Sequence, residues 1–333
     1  MDNIAHTLVG VALGEAGLKK RSGFGMAALA IGANLPDLDV LAIPFGANLT
    51  FRRGWTHGPV AWLVLPFALT AVLVAWDRVQ ARHGRRPSRR APVRAGALLL
   101  LALIGVLSHP ALDWLNSYGI RLLMPFSERW FYGDSIFIVD PWIWLVLATG
   151  VWLARRAPRR GAAGDAWAGE ARGGDARGDD ARAGDAVAAG ALLLVAAYIG
   201  AMIGGTTAAR RMVHDHAMQA EGIAPRRMMA GPVPLVPWRR ELILDMGDRY
   251  RTGSLDFLAH PAVSLDPGWV MKEDGAAVEA ARTRRDVRDF LYWSRFPVFT
   301  VEPRGDSALV TVGDMRFRRR GAGSFRVQVV VPR

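Results

Sequence analysis

Long apolar stretches separated by arginine-rich connections are the dominant pattern of this 333-residue chain. Two of them, residues 59–76 and 95–115, approach the roughly 20 apolar residues that a helix needs to cross a bilayer. A third, 141–154, is long enough only if its helix begins upstream, near Ile136, and a fourth covers residues 187–203. The pattern therefore predicts four membrane helices.

The segment before the first membrane helix is harder to assign. Residues 7–18 and 23–35 are apolar and rich in Gly and Ala, but each is too short to cross a bilayer comfortably. Small residues allow close helix contact, so we expect a helical hairpin that is either partly buried in the membrane or part of a soluble core. No cleavable signal peptide is expected, because Asp2 stands where a basic region should be and Lys19 comes too late.

The second half of the chain has a different composition. Residues 155–186 are mostly Gly, Ala, Arg and Asp, and we expect a flexible cytoplasmic loop there. Helical periodicity over 276–293 and strand alternation over 308–312 and 324–331 predict a soluble, β-rich region from about residue 230. The predicted fold is mainly α: a helical transmembrane bundle with a C-terminal extracytoplasmic α+β, β-rich domain. The predicted parts are a membrane-embedded metal-site domain over 1–154, the disordered loop over 155–186, a transmembrane helix over 187–206 and the soluble β-rich domain over 230–333.

The basic residues predict an orientation. The net charge is +12, and Lys and Arg cluster at residues 19–21, 78–94 and 155–160. Cytoplasmic loops carry the Lys/Arg excess, and all three clusters share one side if the chain alternates across the bilayer. We therefore expect a multi-pass protein of the cell inner membrane whose C-terminal domain lies outside. Anionic membrane lipids explain the arginines, so no nucleic-acid partner is expected.

His109 and Asp113 form the strongest local pattern for chemistry. Their i, i+4 spacing places both on one helix face, as a His/carboxylate metal pair requires, although a structural His–Asp pair is the alternative. Ionisable residues within a membrane segment are functional candidates by default. The chain has no cysteine, so a metal site must use His and carboxylates, which suits Zn, Mn or Fe. His214 and His216 could also bind a metal, but no partner pattern accompanies them.

Three weaker patterns add candidates. Asp37 and Asp39 face the same side of a predicted extended segment, where they would either chelate a cation or cap a helix. His57 lies just before a membrane helix, and nearby Arg53 would act as a phosphate or carboxylate clamp or as a plain membrane anchor. His6 carries no signal in isolation.

In order along the chain, these motifs resemble the membrane-bound, metal-dependent hydrolases described in bacteria as LexA-regulated inner-membrane hydrolases. The matching residues are Ile4-Ala5-His6-Thr7 with Gly10, Asn34-Leu35-Pro36-Asp37-Leu38-Asp39, Arg53-Gly54-Trp55-Thr56-His57-Gly58, Ser108-His109-Pro110-Ala111-Leu112-Asp113, residues 116–119, and Gly133-Asp134 with Val139-Asp140-Pro141. The resemblance covers residues 1–150 closely and the outer domain more loosely.

The order is also similar, more distantly, to the zinc-dependent phospholipase C group. That resemblance implies a set of metal ligands: His6, Asp37, His57, His109 and Asp113. The group has further His and Glu ligands downstream that this chain does not match, so one or two ions are expected rather than three.

The predicted function is hydrolysis by a membrane-bound enzyme that uses a divalent metal, with Zn favoured. The expected metal ligands are His6, Asp37, Asp39, His57, His109 and Asp113, and the expected catalytic residues are Asp37, Asp39 and Arg53. Asp37 or Asp39 would bridge the metals or act as general base, and Arg53 would stabilise negative charge on the substrate. A site at the membrane face favours a phosphoester or lipid-like substrate. The alternatives are a non-enzymatic scaffold with a structural metal site and an ion- or proton-coupled transporter, for which the sequence lacks internal repeats.

Overall fold

Helices build the first part of the chain and antiparallel strands build most of the last third. The computed structural model describes residues 1–45, 51–165, 175–318 and 325–332. It forms two compact units, one from Met1–Leu41 and Arg53–Gly204 and the other from Ala42–Arg52 and Gly205–Arg333.

Six helices and two 3₁₀ segments precede the first strand in the described residues. The helices are α1 (Asn3–Glu15), α2 (Gly25–Gly32), α3 (Pro59–Arg82), α4 (Ala95–Trp114), α5 (Pro141–Asp165) and α6 (Asp175–Glu221). The 3₁₀ segments are Leu18–Arg21 and Leu35–Phe45. Asp2 caps α1, because its Oδ1 accepts from the backbone N–H of Ile4 and Ala5 at 3.0 and 3.1 Å.

The helical hairpin expected at the N-terminus is confirmed as α1 and α2, which pack through small residues. A Cβ at Gly10 would lie 2.6 Å from the Leu29 carbonyl oxygen, and one at Gly105 of α4 would lie 2.7 Å from the same atom. Both positions therefore need glycine so that α1 and α4 can approach α2 closely.

Three of the described helices, α3, α4 and α6, are long and apolar enough to cross a membrane. Their outward side chains are apolar; Leu63 and Phe67 of α3 and Leu194 of α6 are each at least 60% exposed. Water disfavours such a surface and lipid does not. The remaining expected span begins at Pro141 rather than near Ile136, so α5 lacks the upstream extension that it needed.

Helix also occupies both ends of the stretch expected to be a flexible loop. Helix α5 continues to Asp165 and α6 begins at Asp175, while residues 166–174 lie outside the described residues. Alanine and arginine, which are frequent here, have high helix propensity. The cytoplasmic placement of this stretch stays a prediction.

Two antiparallel sheets form the β-rich region that the sequence predicts. The first has the order β1 (Arg227–Val233), β2 (Val236–Asp245), β3 (Arg249–Asp256) and β4 (Val263–Met271). The second has the order β5 (Pro297–Arg304), β6 (Ser307–Asp314) and β7 (Arg326–Pro332). Between and beside them lie α7 (Ala276–Arg282), α8 (Arg285–Trp293) and α9 (Met315–Arg318). The glycines at 321 and 323 predict a turn before the last strand, and these residues lie outside the described residues.

The first sheet is covered on both faces. Leu242 and Leu244 pack against the end of α6 at Val213, whereas Ile243, between them, packs with Phe296. Successive side chains of a strand point to opposite faces, so one apolar run serves two cores. The chain is a mixed fold, helical in its first unit and largely β in its second.

Candidate metal centre

Four elements of the first unit bring the predicted ligands together. His6 comes from α1, Asp37 from the 3₁₀ segment Leu35–Phe45, His57 from the turn before α3, and the remaining pair from α4. The histidines and Asp113 are fully buried, at 0% exposure, and Asp37 is partly exposed. The spacing of His109 and Asp113 on one helix face is as predicted.

The ligand atoms lie at separations that suit a shared cation. Asp113 Oδ2 is 3.4 Å from His109 Nε2 and 3.5 Å from His57 Nε2, and these two nitrogens are 3.2 Å apart. Asp113 Oδ1 is 3.5 Å from His6 Nε2. Ligand bonds near 2.0–2.2 Å in a tetrahedron give ligand–ligand edges of about 3.3–3.6 Å. The observed separations are close to that range.

Two groups of candidate ligands overlap in this cluster. One is His6, His109 and Asp113, and the other is Asp37, His57 and His109; within each group the ligand atoms lie within 4.8 Å of one another. Asp37 Oδ1 is 3.6 Å from His109 Nε2. Asp113 spans the cluster, because its two oxygens face different histidines. This geometry fits the predicted one or two ions.

Hydrogen bonds behind the rings orient their inward nitrogens. His109 Nδ1 lies 2.7 Å from the carbonyl oxygen of Ala33 at the end of α2. A carbonyl can only accept, so Nδ1 carries the proton and Nε2 of the neutral ring keeps its lone pair for the cluster. His57 Nδ1 lies 2.9 Å from the Thr56 hydroxyl. Such partners commonly fix metal-binding histidines.

Asp39 is placed differently from the expectation. The segment is a 3₁₀ helix rather than extended, and at three residues per turn Asp37 and Asp39 point about 120° apart instead of to one side. Asp39 Oδ2 lies behind His57, 3.6 Å from Nδ1, and accepts from the backbone N–H of Arg53 at 2.7 Å. Neither ligand group contains Asp39, so the arrangement makes it an orienting residue.

Arg53 lies in the cluster rather than at a lipid-facing surface. Its side chain is buried, and one guanidinium nitrogen is 3.5 Å from Asp113 Oδ1. The other donates to Asn116 Oδ1 at 3.3 Å, and the guanidinium lies 4.6 Å from the centre of the Tyr118 ring. Asn116 and Tyr118 therefore position the Arg53 guanidinium. The sequence shows residues 116–119 only as a motif that follows Asp113, and this order does not predict their role.

Burial and charge adjust the protonation of His6 and Asp37, which lie outside the helices long enough to cross a membrane. Burial lowers the pKa of His6 well below its usual value, which favours the neutral ring that a metal requires. Burial alone would raise the pKa of Asp37, but its interaction with the nearby His109 ring and the positive charges of Arg53 and the N-terminal amine lower it overall. Both residues are therefore in their ligating forms near neutral pH.

Several buried atoms support a cation here. Within the described residues, neither ring nitrogen of His6 makes a hydrogen bond, and neither does Asp113 Oδ2. Buried polar atoms without partners are costly and uncommon. A divalent cation would satisfy them, and the His/carboxylate set matches the preferences of Zn²⁺. The amine of Met1 also contacts Asp113 Oδ1.

The other candidate histidines belong to the second unit. His214 is exposed on α6, 3.5 Å from the neighbouring Asp215, and neither His214 nor His216 belongs to the two ligand groups of the described residues. Asp140 has a structural role, since it caps α5 through the N–H groups of Trp142 and Ile143.

Comparison with known proteins places the chain in a family. Residues 1–206, which include every converging ligand, match the family described as YdjM inner membrane protein. The uncharacterized protein YfhP of Bacillus subtilis (strain 168) is 29% identical over 171 residues, which are 47% of this chain and 48% of that relative. The chain thus spans about half the length of this curated relative. No solved structure matches the chain. The family match covers more than half of the residues, and the chain belongs to the YdjM inner membrane protein family.

Proposed function

We propose that the first unit is the hydrolytic centre of a metal-dependent enzyme of the inner membrane. The observation that carries this proposal is the convergence of His6, His57, His109 and Asp113, all fully buried, beside the guanidinium of Arg53. A metal site with a purely structural role would need only the metal ligands. A buried arginine that also reaches the cluster suits an anionic substrate.

Each residue has a distinct role in this proposal. The histidines and Asp113 hold the ion, and a bound Zn²⁺ or similar ion would supply Lewis acidity and a hydroxide nucleophile near neutral pH. Asp37 is the least buried candidate ligand, with 13% exposure, so it is placed to meet substrate as ligand or general base. Arg53, held by Asn116, donates hydrogen bonds to the negative charge that develops on the substrate.

Exposed tryptophans beside the cluster support a lipid-like or phosphoester substrate. Trp55 lies two residues before His57, Trp114 follows Asp113, and both side chains are exposed. Tryptophan is enriched where the bilayer meets water. A site at this depth receives substrates that diffuse within the bilayer and present their headgroups at its surface.

Basic clusters at residues 19–21, 78–94 and 155–160 support a multi-pass topology in which α5 crosses the membrane together with α3, α4 and α6, and which leaves the cluster and the residues from about 230 onward outside. A reporter that is active only in the periplasm, fused after Arg333, should be active. An inactive reporter on a well-expressed fusion would contradict this orientation.

Turnover by the purified protein in vesicles tests the proposed function. Vesicles would contain phospholipid and phosphatidic acid, and a soluble aryl phosphodiester would be offered in parallel. Hydrolysis should stop with a chelator, return with Zn²⁺, and be lost in Asp113→Asn. The matched control is His214→Ala, an exposed histidine outside the cluster, which should keep full turnover. A wild-type protein that retains its metal but hydrolyses neither substrate class would favour the scaffold alternative.

A further inference from the structure

The loops at one end of the first β-sheet carry exposed apolar side chains. Leu235 in the turn between β1 and β2 is 60% exposed, Trp238 at the start of β2 is 42% exposed, and Leu258 after β3 is 72% exposed. The two loops are adjacent, because the backbone N–H of Phe257 donates to the carbonyl oxygen of Trp238 at 3.1 Å. We refer to Leu235, Trp238 and Leu258 as the apolar tip.

The turn that presents Leu235 has an unusual backbone. Leu235 has a φ of 65°, in the left-handed region that Gly or Asn normally occupies in a two-residue hairpin turn. A leucine there disfavours the turn and leaves a large apolar side chain in solvent. Strained backbone conformations of this kind cluster at functional positions, such as those where a side chain contacts a ligand or a partner.

The part of α6 that begins at Gly205 packs beside the loops of the apolar tip. A Cβ at Gly205 would lie 2.9 Å from the guanidinium of Arg240 and 3.8 Å from the ring of Phe257. Gly205 directly follows the apolar stretch 187–204, and the exposed side chain of Ile203 is two residues before it. The opposite end of the sheet lies further along α6, where Arg251 of β3 pairs with Glu221. The apolar tip is therefore at the end of the sheet that packs beside Gly205, the residue that follows the apolar stretch in the chain.

Charge around the apolar tip matches a lipid headgroup layer. Arg239, beside Trp238, is more than half exposed and paired with Asp256. Arg210 and Arg211 follow on α6, within two turns of Gly205. Apolar and tryptophan side chains flanked by arginine are typical of surfaces that insert into the bilayer interface.

We infer that the apolar tip inserts into the lipid headgroup region and anchors the first sheet to the membrane surface. The occupant of this surface is the bilayer itself, because the loops of the tip lie beside Gly205, which directly follows the apolar stretch 187–204 in the chain. The first sheet is then held at the membrane surface by its own side chains as well as through α6. This inference does not depend on the proposed hydrolase activity.

Single-cysteine labelling tests the inference, since the natural chain has no cysteine. Leu235→Cys and Leu258→Cys would be labelled with an environment-sensitive fluorophore in full-length protein, in vesicles of phosphatidylethanolamine and phosphatidylglycerol. The matched control is Val330→Cys in β7, which is 57% exposed and lies in the other sheet. Leu194→Cys on the lipid-facing surface of α6 marks a deep position.

We expect spin labels on the lipids to quench the fluorescence of the two tip positions. A spin label near the headgroup end of the acyl chain should remove roughly half of the emission at the two tip positions, and one near the methyl end should remove less. Iodide in the water should quench Val330→Cys and barely affect the tip. Quenching of both tip positions by iodide, or a blue-shifted emission that no lipid label quenches, would overturn the inference; the second result would indicate a protein contact.

Discussion

The two units of the chain bury charged side chains in contrasting ways. In the second unit, buried Asp314 receives hydrogen bonds on both oxygens, including those from the Ser294 hydroxyl at 2.6 Å and from Arg316 Nε at 2.8 Å. In the first unit, the buried ring of His6 makes no hydrogen bond within the described residues, and Asp113 Oδ2 faces two imidazole nitrogens.

This contrast separates structural from functional burial. A carboxylate such as Asp314, whose neighbours complete its hydrogen bonds, needs nothing further to explain it. The candidate ligand atoms of the first unit converge on one another, several of them without hydrogen-bond partners among the described residues, and a cation between them would satisfy these atoms. The proposed metal centre therefore rests on incomplete pairing within a converging set of candidate ligands and not on burial alone.

Removal of Arg53 should separate metal binding from turnover and gives the largest expected effect. Arg53→Ala should keep its metal and lose roughly 100- to 1,000-fold in turnover, because a guanidinium does not ligate cations but stabilises charge on the substrate. Arg53→Lys should be impaired as well, since lysine cannot reproduce the planar fork. Metal content and hydrolysis would be measured on the same preparations. Full activity in Arg53→Lys would show that only the positive charge at this position is needed.

Asp314→Asn should damage the fold and leave the metal unaffected. Loss of the carboxylate leaves the Arg316 guanidinium buried without its charge partner, which costs about 3 kcal/mol. Thermal unfolding followed by tryptophan fluorescence should show a clearly lower Tm, with unchanged metal content. Asp256→Asn is the matched control, because its partner Arg239 is exposed, and it should have a small effect. Loss of metal in Asp314→Asn would contradict the conclusion that Asp314 only stabilises the fold of the second unit.

The same carboxylate predicts a dependence on pH. Burial alone would raise the pKa of Asp314, but Arg316 and its hydrogen bonds lower it from 3.8 to about 2. A depressed pKa gives stability that is present above the unfolded-state value and lost as the pH falls toward the folded-state value. The difference amounts to about 2 kcal/mol. The Tm gap between wild type and Asp314→Asn should therefore be constant above about pH 5 and narrow between about pH 4 and 2. A gap that is unchanged at low pH would show that its charge is not what stabilises the fold.

Asp39→Asn should have the smallest effect and tests the orienting role. Because Asp39 lies behind His57 instead of among the converging ligands, its loss should weaken metal affinity roughly tenfold rather than abolish binding. Titration with a competing chelator would measure this change. Complete loss of metal would restore Asp39 as a direct ligand.

The sequence predicted the parts of the site that depend on local spacing. His109 and Asp113 share a helix face because α-helical geometry requires it, and Arg53 and His57 lie in one short turn. The orientation of Asp39 could not be predicted, because it depends on the 3₁₀ conformation of its segment. The roles of Asn116 and Tyr118 depend on a loop that folds back onto Arg53, which no periodicity encodes.

The first sheet also could not be predicted fully, because local spacing does not reveal which elements cover its two faces. The edge strand β7 alternates and was predicted, whereas β2 contains the continuous apolar run Leu242-Ile243-Leu244 and was not. Its two faces are covered by different partners, so both sets of side chains are apolar and the period of two disappears.

Metal content of the purified protein tests the central claim most directly. Elemental analysis in detergent would compare wild type with His109→Ala and Asp113→Ala, and with His214→Ala as the exposed-histidine control. We expect one or two divalent ions per chain in wild type and in the control. Both cluster variants should lose metal while still eluting as folded protein. A wild-type protein without bound metal after equilibration with Zn²⁺, or a His109→Ala variant that keeps its full complement, would contradict the account.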